Sequence, residues 1–113
     1  VDYLKALVGD PRTDILFVGY QAAGTPGRAI QQYGPVHGWV RLDGEKYTIA
    51  AGVRTISGYS AHADRQNLLN FVRRMRKRPQ EIHIVHGELD ARKALAGQLE
   101  GEFPEIHISW EWL

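Results

Sequence analysis

Apolar positions along the chain change period several times, and each change marks an element. Tyr3, Leu4, Leu7 and Val8 fall at helical spacing and predict the tail of an amphipathic helix, closed by Gly9 with Pro11 just beyond. Ile15 to Tyr20 is a short apolar run ending beside a glycine, which reads as a buried strand. A loop of Gly24, Thr25, Pro26 and Gly27 follows, and Arg28 to Gln32 predicts a short helix. Gly38–Leu42, Glu45–Ala50 and Val53–Ser57 read as three strands. The first two are joined by Asp43-Gly44, a pair that tolerates positive φ and so marks a hairpin. From Asp64 the period switches to helical, with Leu68, Leu69, Val72 and Met75 on one stripe and Pro79 as a stop. Glu81–Val85 reads as a strand, Asp90–Glu100 as a second helix capped by Gly101, and Glu105–Trp110 as a last strand. The order is β-rich in front and βαβ-like behind. It predicts an α/β fold, a mixed sheet with flanking helices and some parallel pairing.

Composition narrows the class without naming it. The chain has 113 residues, enough for one domain, with 43% apolar and 24% charged residues, which excludes a disordered chain. Fourteen Lys and Arg stand against 13 Asp and Glu, a net charge of +1, so affinity for nucleic acid must come from a local patch. The absence of cysteine excludes disulfides, thiolate zinc sites and cysteine nucleophiles. No apolar run approaches the roughly 20 residues of a membrane span, so a membrane partner is not expected. Val1 rather than Met stands first, and the chain is expected to be a piece of something longer.

Of five histidines, three read as structural. His107 alternates with Ile106 and Ile108 and faces solvent. His83 lies at an odd offset from His86 on one strand, so the two face opposite ways and share no metal. His37 follows Pro35-Val36 in a loop. His62, in Gly58-Tyr59-Ser60-Ala61-His62-Ala63-Asp64, and His86, in Ile84-Val85-His86-Gly87-Glu88, instead fall between a strand and a helix, where α/β sheets gather ligands. If their strands are neighbours, both imidazoles open into one crevice. Imidazole is both a good zinc ligand and a proton donor near neutral pH. Glu88, two residues past His86, is placed to orient that ring. Asp64 reads as an N-cap with a supporting role to His62, and Ser60 as a turn residue or a phosphate contact beside the helix N-terminus.

Gly19-Tyr20-Gln21-Ala22-Ala23-Gly24-Thr25 has P-loop spacing, but Thr25 stands where that motif requires lysine, which excludes nucleotide hydrolysis. Arg28, just behind the turn, is a candidate lip for a phosphate-bearing substrate. Arg73, Arg74, Arg76, Lys77 and Arg78 complement a helix C-terminus or offer an RNA contact. Gly58-Tyr59-Ser60-Ala61-His62 also approaches a serine hydrolase elbow, but His62 is too large for the sharp turn, and His107 is a poor triad histidine.

Three stretches in register give a more specific match. Phe17-Val18-Gly19-Tyr20-Gln21 with Gly24-Thr25 and Gly27-Arg28, Ser60-Ala61-His62-Ala63-Asp64, and Val85-His86-Gly87-Glu88 together resemble the C-terminal part of β-CASP proteins. These form the RNA-processing branch of the metallo-β-lactamase superfamily. The resemblance implies that residues 1–34 end a β-CASP region and residues 35–113 are the C-terminal metallo-β-lactamase portion. It also implies a two-zinc, RNA-cleaving phosphodiesterase, cytoplasmic, working with its own N-terminal portion and possible as a homo-oligomer. By that resemblance His86 ligates a zinc, and His62 contacts the scissile phosphate or protonates the leaving oxygen. The family's His-x-His-x-Asp-His string is missing here, so these 113 residues alone are expected to be inactive and to hold zinc weakly. The alternative is a catalytically silent scaffold or RNA-binding module that exposes Trp39, Trp110 and Trp112.

Overall fold

The computed structural model describes residues 2–19, 21–56, 61–75, 78–86 and 88–110; for residues 2–4, 61–65, 68 and 71 only the backbone is described. The elements are α1 (Asp2–Val8), β1 (Thr13–Val18), α2 (Pro26–Tyr33), a 3-10 turn (Gly34–Val36), β2 (Trp39–Leu42), β3 (Glu45–Thr48), β4 (Gly52–Ile56), α3 (Ala61–Arg74), β5 (Glu81–Val85), α4 (Leu89–Glu102) and β6 (His107–Ser109). Four strands form one parallel sheet in the order β4-β1-β5-β6, and β2-β3 is a separate antiparallel hairpin. The α/β class with flanking helices holds, with parallel and antiparallel pairings divided between two sheets. Asp43 and Gly44 both have positive φ, 52° and 82°, as a tight hairpin with matching twist requires.

Strand alternation sorts the core into two layers. Leu16, Val18, Ile82 and Ile84 face α3 and α4, meeting Leu69, Val72, Leu95, Leu99 and Phe103. Ile15, Phe17, Val53 and Val85 face the other way, onto α1, α2 and the hairpin through Leu7, Ile30, Val40 and Leu42. β1 therefore carries both cores at once, and residues before and after position 34 share one sheet. Gly34 lets the end of α2 close on β4, because a Cβ there would collide with Val53.

Several boundaries differ from the sequence expectation by one or more residues, those of α4, β6 and α3 among them. α4 runs through Gly101 to Glu102 and is capped by Phe103, whose N–H still reaches the Leu99 carbonyl at 2.8 Å. Pro104 then disfavours helical geometry for Phe103, and burial of that ring fixes the exit. The Ile106 N–H bonds the Phe103 carbonyl at 3.0 Å, so the turn consumes the start of the expected last strand. α3 stops at Arg74, five residues before Pro79.

Candidate functional site

In an all-parallel sheet every strand delivers its carboxyl end to the same edge, and there loops can approach a ligand. At that edge lie Ile56 of β4, Val18 of β1 with Gly19 after it, and Val85 of β5 with His86 after it. The strands preceding His62 and His86 are not neighbours: β1 lies between them. Two strand spacings, roughly 10 Å, thus separate β4 from β5. The intervening β1 end is tied to β4 by the Gly19 N–H, which donates to the Ile56 carbonyl at 2.7 Å.

His86 has φ of 60°, the left-handed region that a residue with a Cβ rarely enters. This ends the strand alternation and brings the imidazole onto Phe17, centroids 5.7 Å apart and planes within 8°. Phe17 is fully buried, so the ring rests on a rigid floor. Burial, and secondly the Arg92 cation, push the His86 pKa below its ordinary value and favour the neutral ring, the form with a lone pair. His83 sits mid-strand, buried, its Nε2 3.5 Å from the Glu81 carboxylate. Burial lowers its pKa as well, with Glu81 opposing.

The remaining sequence candidates fall as follows. Glu88 is the exposed residue capping α4, its carbonyl accepting the Arg92 N–H at 3.0 Å. His62 is the second residue of α3, and Asp64 lies inside the first turn of that helix. Asp64 is therefore not the N-cap. The helix opens three residues earlier than its apolar stripe suggests, and Ser60 lies outside the described residues. Arg28 is exposed in the first turn of α2; its N–H donates to the Thr25 hydroxyl at 3.3 Å and its guanidinium to the Gln21 carbonyl at 3.1 Å. It braces the glycine-rich loop at the same edge. His107 is exposed and registers with Glu81 at the amino end of β5, about 16 Å along the strand from His86. A triad through His107 is not assembled. Of the basic run, Arg73 grips Glu102 at 2.6 Å, and Arg78 pairs with Glu105 at 2.6 Å and lies 4.9 Å over Phe103. Those two cations join α3 and the segment after it to the end of α4. Arg76 and Lys77 lie outside the described residues.

Two supporting residues were not singled out from the sequence. Gln31 is buried: its Oε1 accepts from the Gln21 N–H at 2.8 Å, while Nε2 donates to the Gly19 carbonyl and the Thr55 hydroxyl, both at 3.0 Å. An N–H can only donate and a carbonyl only accept, so these partners fix the amide orientation. Arg92, also buried, donates to the Trp110 carbonyl at 2.8 Å. Each stands on its helix's buried stripe: Gly27, Ile30, Gln31 in α2 and Arg92, Leu95, Ala96, Leu99 in α4. A polar residue on an apolar stripe was the available signal. Replacing Gln31 with alanine is expected to lower stability by about 2–3 kcal/mol, because the Gly19 carbonyl and Gln21 N–H lose their partner while half-buried. Urea unfolding measures this. A midpoint unchanged from wild type would show that the amide does not hold the loop.

Residues 46–109 match the family described as Zn-dependent metallo-hydrolase RNA specificity domain, and residues 1–30 match the Beta-Casp domain. The chain belongs to this β-CASP branch of the metallo-β-lactamase superfamily. It is 41% identical over 105 residues to the transcription termination factor FttA of Pyrococcus abyssi and to that of Thermococcus kodakarensis, covering 91% of this chain in each case. FttA of Methanosarcina mazei is 36% identical over 106 residues, covering 88%. The chain spans about 16% of the length of these curated relatives. The family implies zinc. Among the described residues no three His, Asp or Glu side chains converge, so these do not build a zinc site by themselves. Among the described residues no helix is long and apolar enough to cross a membrane.

Proposed function

We propose that this chain is the C-terminal part of a zinc-dependent phosphodiesterase that cleaves RNA, with an active centre completed by residues outside these 113. The observation that carries the reading is the convergence of three carboxyl strand ends on one edge, with His86 held there in a left-handed conformation over Phe17. Among the described residues three non-glycine positions have positive φ, His37, Asp43 and His86, and His86 is the one at this edge; backbone strain of that kind clusters at functional sites. In this reading His86 supplies one imidazole to the metal centre and Glu88 orients it. His62 contacts the scissile phosphate or protonates the leaving oxygen, with Asp64 in support. Ser60 and Arg28 meet phosphate oxygens. Residues 1–34 close the β-CASP region, residues 35–113 the metallo-β-lactamase portion, and the N-terminal portion of the longer chain is the partner. FttA relatives named as transcription termination factors agree with an RNA substrate.

Incubation with zinc and end-labelled RNA tests the proposal. The longer protein should cleave and the 113 residues alone should not. Robust cleavage by the 113 residues, or none by a longer protein bearing the full metal-binding string, overturns it. A catalytically silent module is favoured only by the exposed face of the hairpin, and absence of a His-x-His-x-Asp-His string upstream would decide for it.

A further inference from the structure

The β2–β3 hairpin breaks two local rules on its outward face. Trp39 leaves 49% of its surface exposed and Tyr33, at the end of α2, leaves 45%. Large aromatics so placed together mark contact surfaces more often than chance exposure. Arg41 stands directly opposite Lys46 across the hairpin. Like charges in that register repel and weaken the pairing. Both cations lean on the same indole, the Arg41 guanidinium carbon 5.9 Å and the Lys46 ammonium 5.0 Å from the Trp39 ring centre. Alternation explains how they gather: Val40 and Leu42 point into the core, which leaves Trp39 and Arg41 outside with Lys46 and Thr48 across from them. Beside this face runs a groove of about 420 Å³ walled by Ala29, Tyr33, Gly38, Trp39, Val40 and Arg41. That volume suits a small planar group, since ligand pockets run from roughly 300 to 1,000 Å³.

Two cations that repel one another over one aromatic ring are complementary to a nucleotide, whose phosphates draw them off the ring and leave its face to a base. The base stacks on the ring irrespective of its identity, and the phosphates relieve the repulsion. A purely apolar protein partner would leave that repulsion in place. We infer that the groove between α2 and the β2–β3 hairpin is a binding site for single-stranded RNA, in which a base stacks on Trp39 while Arg41 and Lys46 hold the flanking phosphates. The choice of RNA rests on the function proposed above; the place does not. α2 joins the two regions: its Thr25–Arg28 end lies at the carboxyl edge of the sheet and its Tyr33 end at the groove, about 12 Å apart along the helix. A strand bound at the groove would thus be led towards the edge where His86 stands.

The test is fluorescence anisotropy of a labelled single-stranded oligoadenylate titrated with the chain across a salt series. Trp39→Ala should weaken binding about 5- to 150-fold, and Trp39→Phe, which keeps a ring, should recover most of it. The double variant Arg41→Gln/Lys46→Gln should reduce the slope of log affinity against log salt by about 1.4. Wild-type affinity in a folded Trp39→Ala protein overturns the inference. If alanine prevents folding, the double variant decides, and an unchanged salt slope overturns it. Full RNA affinity in Trp39→Ala together with lost self-association in sedimentation would make the face a protein contact and overturn the RNA site. RNA cleavage by the longer protein is read separately, so failure at Trp39 with cleavage intact refutes this site and leaves the proposed activity standing.

Discussion

Replacing His86 with alanine in the longer protein proposed to cleave RNA is expected to remove zinc and cleavage together, each on the order of a hundredfold or more. Loss of a residue that merely orients a ligand already costs 10- to 100-fold in metal affinity or activity, and a ligand itself should cost at least as much. The backbone complicates the measurement, because alanine inherits the left-handed φ of 60° without the imidazole's stacking on Phe17. A non-glycine residue pays about 1–2 kcal/mol to sit there. His86→Gly therefore serves as the companion variant. It removes the same ring but relaxes the strain, and should unfold about 1 kcal/mol later than His86→Ala. Both should lose zinc to the same extent if the ring is the ligand. Metal analysis, cleavage rates and urea midpoints on the two variants separate ligand loss from strain. Full zinc content in either, with cleavage gone, would remove His86 from the metal centre.

That His86 would be held this way was only half legible in the sequence. The strand before it was plain, since Glu81–Val85 combines a short apolar run with polar punctuation on both sides, and β5 has those limits. The Asp43-Gly44 turn was equally plain, because positive φ at two successive positions is a local requirement met by few residue pairs. Local signals of this kind survive folding unchanged. The position of His86 does not follow from them: alternation would set it opposite Val85, and the left-handed φ that places it on Phe17 depends on a contact with another strand. The same limit applies to strand order. Two junction histidines were visible, but the insertion of β1 between β4 and β5 is set by which apolar faces pair, and nothing near His62 or His86 encodes it. Gly101 shows the converse, a local cap signal overridden when burial of Phe103 carried α4 two residues further, to Glu102. Gln31 and Arg92 were hidden for a related reason. Polar residues read as solvated until the stripe they share with Ile30 or Leu95 is taken as binding evidence of burial.

The His62→Ala variant of the same protein should lose turnover by roughly 10²- to 10⁴-fold, the range over which a positioned proton donor acts, while keeping its zinc. His62 is the second residue of a 14-residue helix that opens just beyond β4, at the edge where β1 and β5 also end. Free amides of a first helical turn attract anions, so a phosphate drawn to this turn would lie beside residue 62. Two roles remain distinguishable from there. A proton donor matters only when the leaving oxygen needs a proton, so a p-nitrophenyl phosphodiester, whose leaving group departs as a stable anion, should be cleaved by the variant nearly as well as by wild type. A residue that only holds the phosphate would be missed equally with RNA and with the activated ester. Zinc loss matching that of His86→Ala would instead make His62 a ligand and reverse the division of labour between the two imidazoles. The comparison of two substrates across two variants thus assigns each histidine by the kind of bond it serves, independently of how far either change lowers the rate.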